Sequence, residues 1–347
     1  MPAVFFAIVA VMLTAWAVLD GFDFGVGIVH RIVARTEEER GRALATVLPV
    51  WDGNEVWLVA GGAVLLLAFP RAYAAAMSGM YLALIMVLWL LVFRGVSIEL
   101  RGHVDHPLWR AAWDSMFALS STVLAFVAGV ALGNVVRGVP IGPTGWFQLD
   151  LFAIAGDRVA AIDGYTGTIG LLSVVLLAAH GASYVAWKTD GGLRERASSV
   201  AKLAWRAAVP LAVVATVVTG FVRPAMFAAI ARRPWVWPLA ASAIGSTVVA
   251  FRALAAALDR RAFLASSALI ASLLLATAGG LYPTLIPSTV DPAYDIDAYG
   301  AASGHHGLVV GLFWWVPAIV LVVLYFANLF WLSRGKVTAE DADAHHG

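Results

Sequence analysis

Long apolar runs, separated by short polar or Pro/Gly-rich breaks, extend along almost the whole chain. Each run has about 18 or more mainly apolar residues, the length that an α-helix needs to cross the hydrocarbon core of a bilayer. The runs lie near 3–33, 43–69, 74–95, 112–135, 163–187, 203–225, 235–258, 263–286 and 307–332. The pattern predicts an all-α polytopic membrane protein with about nine transmembrane helices.

The composition also favours a chain that lies in a membrane. Of its 347 residues, 61% are hydrophobic and 13% are charged, which leaves too little polar surface to cover a soluble fold. We predict a single transmembrane helical domain over residues 1–338 and a disordered cytoplasmic tail over residues 339–347. The first run lacks a preceding basic segment and continues past Ile28, so it is predicted to be a retained span and not a cleaved signal peptide.

Positive charge is distributed unevenly between the two sides of the predicted bundle. If the N-terminus lies outside, the inner segments carry 17 of the 23 Lys and Arg residues. Lys and Arg concentrate in the cytoplasmic loops of membrane proteins. The bias therefore predicts that the N-terminus is outside and that the C-terminus is in the cytoplasm.

The most unusual polar segment runs from Trp51 to Trp57, inside the second run. Asp52 and Glu55 are three residues apart, so they share a helix face. On a helix that starts at the inner surface near residue 43, both acids would lie roughly 14–18 Å deep, about mid-membrane. Each would cost about 2.5–3.5 kcal/mol there. No Lys or Arg lies between residues 43 and 70 to neutralise them.

Two hypotheses explain these acids. They could form a proton or cation path from the cytoplasm, because carboxylates at graded depth pass protons through a low-dielectric interior. One of them could then hold a proton near neutral pH. Alternatively, they form a hydrogen-bonded polar knot that only holds helices together. In either case a proton, a cation or another chain must neutralise them.

The first span carries a second pair of acids, Asp20 and Asp23, on one helix face. They lie beside two glycines whose spacing permits the close approach of another helix. These acids are either functional or helix-end charges near the headgroups. Arg94 and Glu99, at the inner end of the third span, are predicted to be a solvated helix-end pair.

The ligands available for a cofactor are few. The chain contains no Cys, which excludes iron–sulfur clusters, covalently attached c-type haem and disulfides. Of its eight His residues, His180 alone lies well inside a predicted span. A buried haem needs one or two axial ligands from facing helices. We therefore predict neither haem nor metal in this chain, and we expect His180 to be hydrogen-bonded in the core. His305-His306 opens the last span and has no assigned role.

Four motifs together resemble subunit II of the cytochrome bd quinol oxidases. They are DGFDFGVG from Asp20 to Gly27, WDGNEVW from Trp51 to Trp57, RGVSIE from Arg94 to Glu99 and LYPTLIPST from Leu281 to Thr289. The similarity covers nearly the whole chain, and the second motif at its spacing from the first is highly specific.

The resemblance implies a haem-free subunit of an electrogenic, non-pumping enzyme of the bacterial cell membrane, which oxidises quinol and reduces O₂ to water. Haems b and d would reside in a partner, subunit I, with which this chain would form a heterodimer. Small accessory subunits and a structural quinone are further possible components. The proton-path residues implied by the family motifs are Asp52, Glu55, Asp20, Asp23 and Glu99. The residue implied for the oxygen channel is Trp57.

Two other functions fit the buried acids without the resemblance. An ion-coupled secondary transporter would also place acids near Gly residues in broken helices, but it predicts inverted repeats, which the sequence does not show. A purely structural membrane scaffold predicts that neutralising Asp52 changes stability and nothing else.

Overall fold

The computed structural model describes residues 1–152 and 159–338, and these residues form a bundle of α-helices. The long helices are α1 (Pro2–Val33), α3 (Trp51–Ala68), α5 (Tyr81–Leu100), α6 (Pro107–Arg137), α7 (Gly164–Lys188), α8 (Gly191–Val222), α10 (Trp237–Ala255), α11 (Asp259–Leu281) and α12 (His305–Leu332). Three shorter helices are α2 (Glu37–Ala45), α4 (Pro70–Gly79) and α9 (Pro224–Arg232). The predicted tail, residues 339–347, lies outside the described residues.

Eight of the described helices are long and apolar enough to cross a membrane. The remaining long helix, α3, has 18 residues, and its first turns carry the polar residues Asp52, Asn54 and Glu55, which lower its mean hydropathy. The prediction of an all-helical membrane protein with about nine transmembrane helices is therefore confirmed.

The second predicted span is not one continuous helix. Helix α2 ends at Ala45, a turn covers Thr46 to Val50, and α3 begins at Trp51. Pro49 lies in this turn and has no amide hydrogen to donate to a helical ladder. Asp52 is consequently in the first turn of α3, where the helix dipole favours a carboxylate. The assumption of one unbroken helix from residue 43, on which the predicted depth of Asp52 and Glu55 was based, is therefore wrong.

Helix α1 lies at the centre of the bundle and contacts α3, α6, α7 and α11. Its closest neighbour is α7, because Gly25 and Gly181 face each other across the contact. A Cβ atom at Gly25 would lie 2.6 Å from the backbone nitrogen of Gly181, so a larger residue cannot be accommodated there. The predicted close packing at this glycine is confirmed. As a result, α1 is almost entirely buried from Asp20 to Gly27.

Irregular segments cover one end of the bundle. Strands β1 (Thr284–Ile286) and β2 (Ile296–Asp297) form a short antiparallel pair in the segment between α11 and α12. This segment meets the α6–α7 connection where Val139 bridges Ser288. The opposite end of the bundle contains the last residues of α1 and α5 and the first residues of α6. It is rich in Arg, and we refer to it as the basic end. The charge bias predicts that this end faces the cytoplasm.

Candidate proton-transfer site

Three carboxyl groups surround one guanidinium group inside the bundle. Arg94 of α5 and the acids Asp20 and Asp23 of α1 are fully buried. Arg94 Nη1 lies 2.8 Å from Asp20 Oδ1, and Arg94 Nη2 lies 3.7 Å from Asp23 Oδ2. Arg94 Nη1 also donates a hydrogen bond to Glu55 Oε1 at 2.8 Å. We call Asp20, Asp23, Glu55 and Arg94 the Arg94 cluster.

Neighbouring side chains fix the two buried aspartates. Trp16 Nε1 donates a hydrogen bond to Asp20 Oδ2 at 2.8 Å from one turn earlier in α1. Asn54 Nδ2 donates to Asp23 Oδ2 at 2.8 Å. The Arg94 guanidinium lies over the ring of Phe24, with its carbon 4.7 Å from the ring centroid. Asp20, Asp23 and Arg94 are therefore each held in one orientation by a neighbour from α1 or α3.

Glu55 differs from the two aspartates in its access to the surface. Its side chain is 25% exposed, whereas those of Asp20 and Asp23 are 0% exposed. Glu55 is therefore the acid of the cluster that reaches the surface of the chain. Because three carboxyl groups share one guanidinium, the cluster is electrically neutral only when it also holds two protons or gains other cations. Isolated charges are costly in a low-dielectric interior. This arrangement is suited to storing protons.

The cluster corrects two expectations. The prediction that Arg94 belongs to a solvated helix end is wrong. Helix α5 continues to Leu100, and the Arg94 side chain is fully buried in the bundle. We also expected a proton, a cation or another chain to neutralise the acids of α3. For Glu55, Arg94 of this same chain supplies part of that neutralisation.

The predicted proton-path residues fall into two groups. Asp20, Asp23 and Glu55 come together around Arg94. Asp52 and Glu99 do not: both are exposed, and neither side chain forms a salt bridge or a hydrogen bond with the described residues. Asp52 lies on the outer surface of α3, one turn before Glu55, and Glu99 lies at the basic end.

The predicted oxygen-channel residue, Trp57, lies apart from the cluster. Its indole is 9% exposed and contacts α12, with 5.6 Å between the ring centroids of Trp57 and Phe326. Its Nε1 atom is enclosed without a hydrogen-bond partner in the part of the chain that the structure describes.

A second polar cluster, at the basic end, was not predicted. His30 Nε2 lies 2.8 Å from Asp114 Oδ1, and both residues are buried. Arg101 Nε donates to the same oxygen at 2.6 Å, and Arg101 Nη2 donates to Glu37 Oε1 at 2.5 Å. We call His30, Asp114, Arg101 and Glu37 the Arg101 cluster. One sequence signal could have revealed it: His30 and Arg101 each lie seven residues, about two helical turns, after Asp23 and Arg94.

Comparison with known proteins identifies the family to which this chain belongs. The family model described as cytochrome bd terminal oxidase subunit II matches residues 1–333. The chain belongs to this family. Subunit 2 of the cytochrome bd-I ubiquinol oxidase of Escherichia coli is 30% identical, with 98% of this chain and 96% of that protein covered. Subunit 2 of the cytochrome bd ubiquinol oxidase of Bacillus subtilis is 31% identical, with 94% and 93% covered.

The fold agrees with this assignment. The bd oxidase structure from Geobacillus thermodenitrificans contains a chain that matches with a TM-score of 0.75, covering 95% of this chain and 98% of that one at 17% identity. This cytochrome bd subunit II is thus a multi-pass membrane protein and a subunit of a quinol:O₂ oxidoreductase of the bacterial respiratory chain. The alternative prediction of an ion-coupled transporter is set aside.

Two histidines are buried among the described residues of this cytochrome bd subunit, His30 and His180. His180 is buried with both ring nitrogens engaged, Nδ1 at 2.6 Å from Ser266 Oγ and Nε2 at 3.0 Å from the Val18 carbonyl oxygen. It is hydrogen-bonded in the core, as predicted. His30 is held by Asp114. Among the described residues there is no group of three or more His, Asp or Glu side chains placed to bind a metal ion.

Proposed function

We propose that this subunit stores and delivers protons for O₂ reduction through the Arg94 cluster, while haems b and d are held by subunit I. The observation that carries the proposal is the charge of the cluster, in which Asp20, Asp23 and Glu55 share the single cation of Arg94. Each electron that the complex stores in its membrane interior requires one proton for electroneutrality. Carboxyl groups that take those protons from the cytoplasmic side make turnover electrogenic without a pump.

Subunit I is proposed to dock against α3 and α12. Along α12, Leu308 and Phe326 are buried and every other residue is at least partly exposed. The neighbouring surface of α3 is apolar as well, with Val59 72% exposed, and it carries the charged Asp52. A carboxylate that faces lipid is costly, by about 2.5–3.5 kcal/mol at bilayer depth. A partner that covers this surface removes that cost and places Asp52 at the interface.

The proposed direction of transfer follows from exposure. Asp20 and Asp23 are enclosed, Glu55 is partly exposed, and Asp52 lies one turn away on the surface of α3. Protons therefore pass from the aspartates to Glu55 and then to Asp52, which hands them to subunit I. Trp57 is proposed to act separately. Its large ring packs against Phe326 of α12 next to the proposed interface, where it would shape the passage of O₂.

The decisive experiment is the Glu55→Gln substitution in the complex of both subunits. Glutamine retains the size of the side chain and its hydrogen-bond acceptor for Arg94, but it cannot carry a proton at neutral pH. We expect the quinol oxidase rate to fall about tenfold or more, since relay groups contribute roughly 10²–10⁴-fold in proton transfer, while the haem absorption spectrum stays unchanged.

The matched control is Glu195→Gln, which removes an exposed carboxylate from α8, away from the cluster. Its turnover should equal that of the unmodified complex. A fully assembled Glu55→Gln complex that turns over at the unmodified rate would refute the proposed role of the cluster and would favour a structural scaffold.

A further inference from the structure

The polar face of α1 continues from the Arg94 cluster to the basic end. Asp23, Gly27 and His30 follow one another at intervals of four and three residues, so they lie on one face of the helix. From Asp23 to His30 this face extends about 10 Å along the helix axis. The two clusters therefore lie on one continuous strip of α1, separated by a glycine.

Helix α6 supplies the facing side of this strip. Asp114, Phe117 and Ser121 recur at intervals of three and four residues. Asp114 contacts His30, and Ser121 contacts the position of Gly27. A Cβ atom at Gly27 would lie 2.1 Å from Ser121 Oγ, so the serine hydroxyl occupies the space that a side chain at residue 27 would fill. The absence of a side chain at Gly27 keeps a polar atom between the two clusters.

Three polar atoms on this seam are enclosed and form no hydrogen bond with the described residues. They are Asp23 Oδ1, Ser121 Oγ and His30 Nδ1. Buried polar atoms in folded proteins are nearly always satisfied, commonly by internal water that bridges several of them. Asp23 and His30 lie on the same face of α1 as Gly27, and Ser121 contacts that face at Gly27. Bridging water along that contact would satisfy all of them and connect them.

The Arg101 cluster orients His30 for proton exchange. Asp114 Oδ1 accepts from Arg101 Nε at 2.6 Å and faces His30 Nε2 at 2.8 Å, so the Nε2 atom carries the ring hydrogen in the neutral tautomer. Nδ1 is then the nitrogen with a free lone pair. Three further arginines lie near this cluster. Arg40 is 3.8 Å from Asp114, and Arg110 is 3.7 Å from Glu37. Arg31 donates a hydrogen bond to Ser115. Glu37 has a 41% exposed side chain and reaches the surface.

We propose that His30 is a proton-relay residue that loads the Arg94 cluster from the basic end. This inference rests on the proposed function of that cluster. A proton arriving through water near Glu37 forms an Nδ1–H bond, and the resulting imidazolium is stabilised by the Asp114 carboxylate. The same Nδ1–H bond breaks when the proton passes through water and Ser121 to Asp23. His30 then returns to its neutral form, so each cycle moves one proton and leaves the relay unchanged.

The test uses the two-subunit complex in proteoliposomes, with proton uptake and oxidase turnover measured against pH. His30→Gln retains a donor for Asp114 but has no group that can titrate. We expect proton uptake to slow about tenfold and the pH dependence of turnover to change. The haem spectrum should not change.

Two neighbouring serines provide a matched pair. Ser121→Ala removes the unpartnered hydroxyl on the seam, and Ser120→Ala removes a buried hydroxyl that donates to Met116 O of its own helix. We expect Ser121→Ala to slow proton uptake severalfold and Ser120→Ala to leave it unchanged. If His30→Gln prevents assembly, this pair decides the question, and equal rates for the two alanine variants would overturn the relay.

Asp23→Asn separates this inference from the function on which it rests. Suppose that Asp23→Asn slows oxidase turnover, while His30→Gln leaves the proton uptake rate and the pH dependence of turnover unmodified. The relay through His30 is then overturned, and the proposed function of the Arg94 cluster remains. If Asp23→Asn itself turns over at the unmodified rate, the proposed function is overturned and the relay with it.

Discussion

Two buried arginines lie about two helical turns apart along α5 and its C-terminal end, and their surroundings differ in charge. Arg94 is shared by three acids, and the only positive charge within salt-bridge distance of them in the described chain is its own. Arg101 is paired with Asp114 and Glu37, and these two acids also contact Arg40, Arg110 and His30. One cluster is rich in acid, while the other is rich in base.

The difference separates the proposed proton-storage site, the Arg94 cluster, from an ion-pair network, the Arg101 cluster. A buried carboxylate with its own guanidinium gains little by binding a proton, whereas acids that outnumber their cations are suited to proton exchange. In the Arg101 cluster Glu37 reaches the surface, where water and loop charges screen it. We therefore expect substitutions in the two clusters to differ both in their cost in stability and in their effect on turnover.

The largest effect is expected for Arg94→Gln. The variant leaves Asp20, Asp23 and Glu55 without a cation inside the bundle. Removing one partner of a buried ion pair costs about 3–5 kcal/mol. The complex should assemble poorly or unfold at a clearly lower temperature, as measured by haem absorbance during thermal unfolding. An Arg94→Gln complex of unmodified thermal stability would show that the acids are not charged around Arg94.

A smaller loss is expected for Arg101→Gln. Asp114 keeps His30 at 2.8 Å and Arg40 at 3.8 Å, so it is not left without a partner. The expected cost is about 1–3 kcal/mol, the range for a buried hydrogen-bonding group that loses one partner. Both variants are measured in the same thermal unfolding assay. A larger loss of stability for Arg101→Gln than for Arg94→Gln would contradict the proposed difference between the two clusters.

Asp52→Asn tests the proposed interface and should act on turnover more than on folding. The Asp52 side chain is exposed and forms no hydrogen bond or salt bridge with the described residues, so its loss should change the stability of the bundle by less than about 0.5 kcal/mol. If subunit I covers it and takes protons from it, turnover should fall about tenfold. The measurement is oxidase activity per haem in the assembled complex, where unmodified activity would exclude Asp52 from the route.

The smallest effect belongs to an exposed ion pair at the basic end. Arg42 Nη2 donates to Asp190 Oδ1 at 2.6 Å, and this hydrogen bond lowers the pKa of Asp190 below its ordinary value. The ion pair stabilises the folded chain at pH values above the unfolded-state pKa of Asp190, near 3.8. This stabilisation is lost as the pH falls through the lower folded-state pKa of Asp190. Because the Asp190 side chain is 59% exposed, solvent screening limits the contribution to less than about 0.5 kcal/mol.

Comparing the unfolding free energies of Asp190→Asn and the unmodified complex at neutral pH and in acid provides the measurement. The small difference at neutral pH should vanish in acid. A loss above about 1 kcal/mol would mean that exposed pairs at this end are not screened and that the contrast between the clusters is overstated.

The sequence was sufficient to predict the all-helical architecture and three members of the Arg94 cluster, because acids inside long apolar runs are conspicuous. The burial of Arg94 was not predicted, because this charged residue was taken as the end of the apolar run. The helix instead continues past Arg94 to Leu100. The exposure of Asp52 could not be predicted either. It depends on the turn at Pro49 and on which neighbours cover each side of α3, neither of which is encoded in helix spacing.

The Arg101 cluster illustrates a second limit. His30 and Asp114 are 84 positions apart, and nothing local in either segment indicates that they meet. Their contact follows from the packing of α1 against α6, which the glycine at residue 27 permits. The roles of Glu99 and Trp57 remain predictions from the resemblance.

The central claim, that the Arg94 cluster holds exchangeable protons, is tested most directly by infrared difference spectroscopy of the assembled oxidase at neutral pH. A carboxylic acid C=O band should be present, should shift in D₂O and should be altered or lost in Asp23→Asn or Glu55→Gln but not in Glu195→Gln. An infrared spectrum in which no carboxylic acid band depends on Asp20, Asp23 or Glu55 would contradict the account.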